Sequence, residues 1–589
     1  MYADVVVLTY QAPDINYFTY KIPKTMEKQI KIGQLVEVPF GKRNPLGIVV
    51  AIQDKKHETR NKIKIRNLNK ILLPQPLLFP YQIEVLKWMS SYYLAPTVNC
   101  LEAMLPKMPA RAAQLEGLPT ARRLKTENLI TNELSNLALA GGKVATGPVQ
   151  TMVLVPSINH ISETLAKFPK AKNYTIYHNE LKTSEKFSAW QKILSGDADL
   201  IFGSRLAIFA PCPNLKEIII YNEHDGAYKD ERSPYFDTLT VAQKIAQLTG
   251  AQIKIVDPAP KVTTYFQLAK HIKIQNFPQK IEIINMQSNQ ISGNKSPISF
   301  DLEEAIKEVL EKKGNILLFL NRKKEAGHLF CKSCKASIYL EQQPGVCPNC
   351  SAPDIFWNVL NIKSLASEVK KSFPNTGVTL LANQRGLNPT PRVGSLIDID
   401  TAHALYSPLL KKYDLVAHIQ TDSLLNVADF TSGEKLFAQV TNLKKLLTPD
   451  GHLVLQTYNK EHPTLAAIEK GDYLPFFQSE LKQRKALWFP PYSLLIKLTL
   501  RGKLDTKVKT AAERLSQNLR STIHDSQFTS LGPYQSVFWQ KNPTYHIILK
   551  HQISDYCLKE REKVIKKMSA YLEKGSKKYT IEVEPEGVQ

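Results

Sequence analysis

From about residue 150 onward, short apolar runs alternate with segments of helical character, and this alternation constrains the fold more than any other feature of the sequence. Strands that alternate with helices favour a parallel sheet covered by helices, with binding chemistry at the carboxyl ends of the strands. A first unit of this kind is followed by a second, so we predict an α/β multidomain protein. The predicted strands are 151–155, 174–177, 200–202, 217–221 and 252–256 in the first unit, and 315–320, 415–419 and 452–457 in the second.

The two ends of the chain have a different composition. Residues 3–10, 34–40 and 46–53 are β-rich runs separated by Gly and Pro, which predicts a small β-rich domain. The stretch 105–150 is mixed and polar, with several prolines and a Gly-Gly pair, and we interpret it as a linker with one or two helices. The residues from about 492 onward predict a compact α+β domain. A length of 589 residues allows roughly three to five domains.

Positive charge is in excess, with 77 Lys and Arg against 54 Asp and Glu and a formal net charge of +23. Lys and Arg that neutralise phosphates release counterions, so nucleic acid is the first partner to consider. The alternative is that the charge lies on solvated lysine-rich faces. The apolar runs are far shorter than a membrane span and the first residues lack a basic leader, so we expect a cytoplasmic protein that does not bind membranes.

Four of the seven cysteines form two Cys-x-x-Cys pairs, Cys331 with Cys334 and Cys347 with Cys350. Two such pairs complete a closed tetrahedral shell of four thiolates, which is typical of structural zinc and leaves no open coordination position for catalysis. The alternatives are a redox pair and coincidence. We therefore predict one structural zinc ion in a ribbon at 328–353.

An ordered set of short motifs resembles the PriA family of bacterial primosomal helicases over most of the chain. No single motif is decisive, but their order along the chain is that of the family. The motifs are 36–43 with 46–49, 154–156, 203–211, 223–229, 318–322 leading into the cysteines, 489–492, 531–533 and 582–585.

The resemblance implies an N-terminal domain that binds the 3′ end of a nascent strand, two RecA-like lobes of the superfamily 2 helicase type, a zinc ribbon inserted in the second lobe, and a C-terminal α+β domain. The linker is much shorter than the family's winged helix and Walker A loop, which it replaces. The family's second pair of cysteine knuckles is also missing. The implied ranges are 1–104 for the DNA-binding domain, 105–150 for the linker, 151–290 and 291–490 for the lobes, and 491–589 for the C-terminal domain.

The residues that would use ATP are missing from their expected places. A phosphate-binding loop needs a Gly-Lys pair followed by Ser or Thr, and none of the Gly-Lys pairs of this chain has that hydroxyl. At the end of a predicted strand the family has Asp-Glu-Glu-His-Asp, whereas this chain has Tyr221-Asn222-Glu223-His224-Asp225. A phenol cannot replace a magnesium-binding carboxylate, and an amide cannot act as a base.

Three further motifs of the family are eroded. The Ser-Ala-Thr-Pro motif is Asp-Pro-Ala-Pro at 257–260, the Gly-Thr-Gln motif falls near 400–402, and the arginine-finger motif at 439–446 contains Lys444 and Lys445 but no Arg. An arginine finger is worth about 10³–10⁵ in rate in other phosphoryl-transfer enzymes. We therefore expect no catalytic residues and no working ATP or magnesium site. Whether the chain is an enzyme stays open, with the expectation leaning towards none.

The family captures the 3′ end of a strand with a Phe-Asp-Tyr motif and a Pro-Phe-Gly-Lys or Pro-Phe-Gly-Arg loop. Here the motif is Phe18-Thr19-Tyr20, so Thr19 replaces the acidic residue. Phe18 and Tyr20 can stack on a base, and core packing is the alternative for both rings.

Three basic residues are candidate phosphate ligands. Lys42 and Arg43 lie on a predicted turn, with a solvated charge as the alternative. Arg205 lies in a Gly-Ser-Arg loop, where a salt bridge is the alternative. The expected function is binding of forked or single-stranded DNA in replication restart and primosome assembly, with primosome or single-strand-binding proteins as further partners. An active 3′-to-5′ helicase and a protein-interaction scaffold are the competing hypotheses.

Overall fold

The computed structural model describes residues 1–9, 15–54, 65–106, 148–274, 279–321, 327–334, 337–340, 343–381, 395–405, 411–427, 429–536, 542–576 and 578–588. The chain divides into two compact units. The first comprises Met1–Val256, Lys270–Ile272 and Trp488–Val588, and the second comprises Asp257–Ala269 and Lys273–Leu487. Most of the predicted linker at 105–150 lies outside the described residues.

The first unit begins with a five-stranded antiparallel sheet in the order β2-β1-β4-β3-β5. Successive side chains of a strand point to opposite faces of the sheet. Ala3, Val5 and Val7 of β1 therefore share one face and pack with Tyr20 and Val36 in the core. Two helices follow the sheet. The elements are β1 (Tyr2–Val7), β2 (Phe18–Lys21), β3 (Leu35–Glu37), β4 (Leu46–Gln53), β5 (Lys70–Ile71), α1 (Pro80–Tyr92) and α2 (Thr97–Met104).

A six-stranded sheet follows in the order β11-β10-β9-β6-β8-β7, and its strands from β6 to β10 pair in parallel. Strands β6 and β8 are mostly apolar, as expected where helices cover both faces of a sheet, whereas β10 carries exposed Gln252 and Lys254. The elements are β6 (Gln150–Leu154), α3 (Ile161–Leu165), β7 (Tyr174–Tyr177), α4 (Thr183–Leu194), β8 (Leu200–Gly203), β9 (Leu215–Tyr221), α5 (Thr238–Thr249), β10 (Gln252–Val256) and β11 (Ile272–Lys273). The predicted α/β fold is confirmed.

The first unit ends with a four-stranded antiparallel sheet in the order β22-β23-β21-β24. One amphipathic helix, α14, packs on this sheet through Val508, Ala512 and Leu519. The elements are β21 (Ser493–Arg501), α14 (Asp505–Thr522), β22 (Phe528–Gln535), β23 (Thr544–Gln552), α15 (Leu558–Met568) and β24 (Thr580–Val583).

The second unit contains another six-stranded parallel sheet, in the order β12-β20-β19-β13-β18-β17. Helices lie on both faces and bury two apolar cores. The elements are α6 (Val262–Leu268), β12 (Ile281–Asn285), α7 (Met286–Ile291), α8 (Phe300–Glu311), β13 (Ile316–Phe319), α9 (Ile362–Ser372), β17 (Gly377–Leu380), β18 (Ser395–Asp400), β19 (Tyr413–His418), α10 (Asp422–Leu425), α11 (Ser432–Lys444), β20 (Leu447–Thr457), α12 (Pro463–Lys470) and α13 (Tyr473–Leu487).

The boundary between the two α/β sheets differs from the sequence expectation of 290/291. Strand β12 pairs in parallel with β20 of the second sheet, from Ile281 opposite Leu453 to Asn285 opposite Thr457. This register buries Ile283 and Ile284 in the two cores of the second unit. The division between the units therefore falls after Val256.

A small three-stranded antiparallel sheet, the ribbon, is inserted after β13 in the order β15-β14-β16. Its strands are β14 (Gly327–Cys331), β15 (Ser337–Leu340) and β16 (Ile355–Val359). The ribbon thus extends a few residues beyond the predicted limit of 353, because β16 closes the sheet against β14.

Buried polar contacts hold the C-terminal domain within the first unit. The Glu584 carboxylate accepts hydrogen bonds from Arg561 Nη1 at 2.6 Å, Tyr92 Oη at 2.9 Å and Tyr556 Oη at 3.1 Å. Arg561 also donates to Gln243 of α5 at 2.6 Å. The side chain of Arg561 is 3% exposed and that of Glu584 is 10% exposed. One carboxylate and one guanidinium therefore join α1, α5 and the C-terminal domain.

Replacing Glu584 with Gln should destabilise this junction. Neutralising one partner of a buried ion pair costs about 3–5 kcal/mol, because the other charge stays buried without its partner. The amide of the new Gln side chain recovers part of the hydrogen bonding. We expect a loss of about 3 kcal/mol in the opening free energy of α15 and β24, measured by hydrogen exchange. E560Q is the control, because Glu560 pairs with Lys563 on the surface of α15 and should change the same quantity by less than about 1 kcal/mol. Equal effects of E584Q and E560Q would contradict the role of Glu584 in holding the C-terminal domain.

Candidate nucleic-acid interface and metal centre

A tight turn presents two of the predicted phosphate ligands. Phe40 and Arg43 exchange backbone hydrogen bonds at 2.8 and 3.0 Å, and Gly41 adopts a φ of +60° between them. That left-handed conformation suits glycine, which has no Cβ. Lys42 and Arg43 are exposed on this turn. Both charges are therefore directed into solvent, as a phosphate-binding group requires.

The ring of Phe40 holds the turn against the predicted aromatic motif. Phe18 and Phe40 meet edge to face with ring centroids 5.0 Å apart. Phe18 is half-buried and retains some exposed surface. Tyr20 is only 4% exposed, lies in the core of the sheet, and donates a hydrogen bond to Pro39 O at 3.4 Å. Burial raises the pKa of Tyr20 to about 12. The structure thus favours the core-packing alternative for Tyr20 and keeps Phe18 beside the turn.

Arg66 joins this surface, and sequence reasoning did not find it. Its Nη1 donates to Gly41 O at 3.1 Å, and the side chain is exposed. The backbone of Arg66 accepts a hydrogen bond from Lys21 N at 2.9 Å, which places it at the edge of β2. In the sequence Arg66 follows a basic, polar stretch that resembles any solvated loop, so only the fold shows that it lies beside the turn. We call Phe18, Lys42, Arg43 and Arg66 the basic turn surface.

Arg205 has internal partners instead. Its guanidinium donates to Ala227 O at 2.9 Å and to Lys229 O at 2.7 Å, and it pairs with Asp230 at 3.3 Å. The side chain is 22% exposed. These contacts favour the salt-bridge alternative for Arg205, and the guanidinium holds the segment that follows β9.

That segment is the eroded acidic motif at the carboxyl end of β9. Asn222 has a φ of +50°, and the Asp225 carboxylate accepts from Ala227 N at 2.8 Å to cap a short 3₁₀ turn. Burial raises the pKa of Tyr221, so its phenol stays neutral, and Lys167 lies 5.2 Å from the centre of its ring. Lys229 Nζ donates to Val583 O and to Glu584 O, each at 2.8 Å. The segment therefore has a clear packing role.

In the second unit, side chains of the segments 257–260 and 439–446 also make contacts within the protein. Asp257 is buried and accepts from Ala259 N at 2.7 Å, which makes a local turn. Gln439 hydrogen-bonds to His418 at 2.9 Å and donates to Asn321. Lys444 is buried, and burial lowers its pKa. These residues pack within the unit.

The four predicted zinc ligands come together in the ribbon. The Sγ atoms of Cys331, Cys334, Cys347 and Cys350 all lie within 4.8 Å of one another. Cys331 and Cys350 are 3.6 Å apart, and Cys334 and Cys347 are 3.7 Å apart. A tetrahedral Zn–S₄ site with bonds of about 2.3 Å has edges of about 3.8 Å. The donor set and its spacing therefore fit one zinc ion.

The surroundings of the four sulfurs suit a structural site. Cys331 and Cys347 are buried, and they pack with Leu329 and, among the partly buried side chains, with Ile355 and Trp357. Asn349 Nδ2 lies 3.5 Å from Cys334 Sγ, and such outer hydrogen bonds orient metal ligands. Zinc would cross-link the two knuckles and so stabilise a sheet that has little apolar core of its own.

Replacing Cys331 with Ser should release the metal and unfold the ribbon, because one lost thiolate opens a closed four-sulfur shell. We expect the zinc content of the purified full chain to fall from about one ion per molecule towards zero. C557S is the matched control, since Cys557 lies outside the cluster and is only half-buried. Unchanged zinc content in C331S, or equal loss in both variants, would contradict the assignment.

Similarity to known proteins covers most of the chain. Residues 6–106 match the family model described as the 3′ DNA-binding domain of PriA. The chain is 26% identical over 439 residues to the replication restart protein PriA of Synechocystis, with 64% of this chain and 52% of that protein covered. It is 22% identical over 614 residues to the replication restart protein PriA of Borreliella burgdorferi, with 90% of this chain and 92% of that protein covered.

The chain spans about half the length of the Synechocystis relative and nearly all of the Borreliella one. Among solved structures, the helicase Lhr of Mycobacterium smegmatis, bound to ssDNA and AMP-PNP, superposes with a TM-score of 0.32 at 10% identity, covering 56% of this chain and 43% of that one. None of the helices in the described part of the chain is long and apolar enough to span a membrane. The matches to curated relatives confirm the resemblance to the PriA family that the motifs indicated.

Proposed function

We propose that this chain is a PriA-like protein of replication restart that binds forked or single-stranded DNA and does not unwind it with ATP. The observation that carries the proposal is the basic turn surface within the segment that matches a 3′ DNA-binding domain. Its binding partners would include primosome or single-strand-binding proteins, and its place in the cell would be the cytoplasm.

The basic turn surface has the chemistry of a strand-end binder. Three cations, Lys42, Arg43 and Arg66, lie on or beside one turn, and the half-buried ring of Phe18 lies next to them. Cations attract the phosphates of any sequence, and aromatic rings stack on any base. This combination supports binding to a strand end without base specificity. Arg205 is left out of the proposed surface because its guanidinium is engaged within the protein.

Loss of the motor is supported by what replaces the catalytic groups. The resemblance assigns a magnesium-binding carboxylate to the position of Tyr221, and the phenol found there lies beneath the cation of Lys167. Asp225 and Lys229 satisfy backbone groups and connect the segment to the C-terminal domain. An active 3′-to-5′ helicase would need an acidic pair at Tyr221 and Asn222 for nucleotide chemistry, and a pure protein scaffold would need no basic turn. The DNA-binding proposal accounts for both.

Phosphate contacts by the turn should appear as a salt dependence of DNA binding. The affinity for forked DNA should fall by orders of magnitude between about 50 and 200 mM salt, and each phosphate neutralised contributes about 0.9 to the slope of log K against log salt. The double variant K42A/R43A should therefore bind more weakly and lower that slope by up to about 1.8. K28A is the control, because Lys28 is an exposed cation on another turn of the same domain. Salt-independent binding would favour the scaffold hypothesis.

ATP turnover separates the pseudo-helicase from the active helicase. The zinc-loaded full chain should show no hydrolysis above background with forked DNA, since an arginine finger alone is worth about 10³–10⁵ in rate. Fork binding is measured in the same samples by fluorescence anisotropy. Binding shows that the protein is folded and that DNA is bound while ATP turnover is measured. DNA-stimulated hydrolysis that disappears on a substitution in the first parallel sheet would contradict the proposal.

A further inference from the structure

A cleft of about 470 Å³ lies within the first unit, where three segments far apart in the chain meet. One wall comes from 94–102, which includes the start of α2, and the second comes from 233–235, between β9 and α5. The third wall comes from 575–581, which leads into β24. Clefts of about 300–1,000 Å³ at the junction of domains commonly bind small molecules. The size and the position of this cleft therefore suit a ligand.

Hydrogen bonds fix the walls of the cleft. Asn99 Nδ2 donates to Ser233 Oγ at 3.1 Å, which joins α2 to the second wall. In the third wall, Tyr579 Oη accepts from Glu573 N at 3.0 Å. A site whose walls are already held loses less conformational freedom when a ligand binds. The cleft is thus largely formed in advance.

Two bulky residues in the walls have a strained backbone. Leu94 has a φ of +50° and Tyr235 has a φ of +55°. Large side chains avoid this left-handed region, and residues that adopt it are concentrated at binding and active sites. One cleft therefore contains two backbone positions that the surrounding structure holds in an unfavourable conformation.

The charge of the lining limits which ligands fit. Glu102 contributes an exposed carboxylate, and none of the described residues that line the cleft is Lys, Arg or His. Lys574, which precedes the third wall, donates from Nζ to Asn16 Oδ1 at 3.0 Å. The carboxylate would repel a phosphate and attract a cation. This preference is opposite to that of the basic turn surface.

The uncharged part of the lining is apolar and aromatic. Leu94, Val98 and Ile581 supply aliphatic surface. Tyr235 and Tyr579 add two phenol rings; the first is half-buried and the second is 7% exposed. Aromatic rings attract ammonium groups, and several rings together recognise quaternary ammonium. The lining therefore combines a carboxylate, two rings and apolar surface.

We propose that this cleft binds a small free organic cation, with a quaternary or protonated ammonium group and an apolar body. Glu102 and the rings of Tyr235 and Tyr579 attract the charged group, and the aliphatic side chains cover its alkyl groups. The inference does not depend on the proposed DNA binding, because the cleft and the basic turn surface share no residue.

The test compares choline with neohexyl alcohol, which has the same shape but a neutral carbon in place of the nitrogen. Dissociation constants are measured by ligand-observed NMR titration of the full chain. The chain should prefer choline by about 3- to 30-fold in Kd, the range for a cation that contacts aromatic rings.

Variants of the lining should change this ratio selectively. E102Q/Y235L should lower it to about 1, and E102Q alone, which changes one exposed side chain, should lower it in the same direction. Y235F keeps the ring and should keep the preference. E84Q is the matched control, because Glu84 is an exposed carboxylate on α1 that pairs with Lys87.

The ratio separates recognition from a structural role of these side chains. If Glu102 and Tyr235 only shaped the cleft, E102Q/Y235L would weaken both compounds and leave the ratio unchanged, which would overturn the inference. A wild-type chain that binds both compounds equally, or neither, would also overturn it, while the proposed DNA binding would stand. Tighter binding of a tripeptide that carries trimethyllysine would assign the cleft to a protein side chain and overturn the assignment to a free molecule. A choline preference that is lost in E102Q/Y235L and kept in Y235F and E84Q would support the site.

Discussion

The buried carboxylate of Glu584 is the contact on which the rest of the first unit depends. It lies just beyond the end of β24, yet it binds Arg561 of α15, Tyr92 of α1 and Tyr556. Arg561 continues the network to Gln243 of α5. A charge this far from water is tolerated only when it is paired and hydrogen-bonded, so the segments that supply the partners must assemble together. Three stretches far apart in sequence therefore fold as one unit.

The segment that follows β9 also takes part in this junction. The side chain of Lys229 donates to the carbonyls of Val583 and Glu584, next to the central carboxylate. Arg205 and Asp225 shape the segment so that Lys229 reaches that place. Tyr221 and Asn222, which depart from the family, belong to the part of the segment that would handle nucleotide.

The sequence predicts what depends on local pattern and misses what depends on tertiary neighbours. Five strands of the first parallel sheet and three of the second were predictable from short apolar runs, whereas β11, β12, β17 and β18 were not predicted. The meeting of the four cysteines followed from their spacing. The boundary at Val256 could not be predicted from the sequence, because the pairing of β12 with β20 joins residues about 170 positions apart. Arg66 and Arg205 show the same limit: the charge is visible in the sequence, but its partners are set by the fold. The predicted roles of Phe18, Lys42 and Arg43 in binding DNA stay predictions.

Two positions at which this chain lacks a family carboxylate have opposite structural outcomes. At the end of β9, the cation of Lys167 lies 5.2 Å from the centre of the Tyr221 ring, and a cation repels a metal ion. At residue 19, the Thr19 hydroxyl donates a hydrogen bond at 2.7 Å to Asp4 of the neighbouring strand, so a carboxyl group lies beside the position where the acidic side chain is missing. A cation therefore lies near the first position, and a carboxylate lies next to the second. The basic turn shares no residue with the first position and lies beside the second, since Phe40 of the turn contacts Phe18.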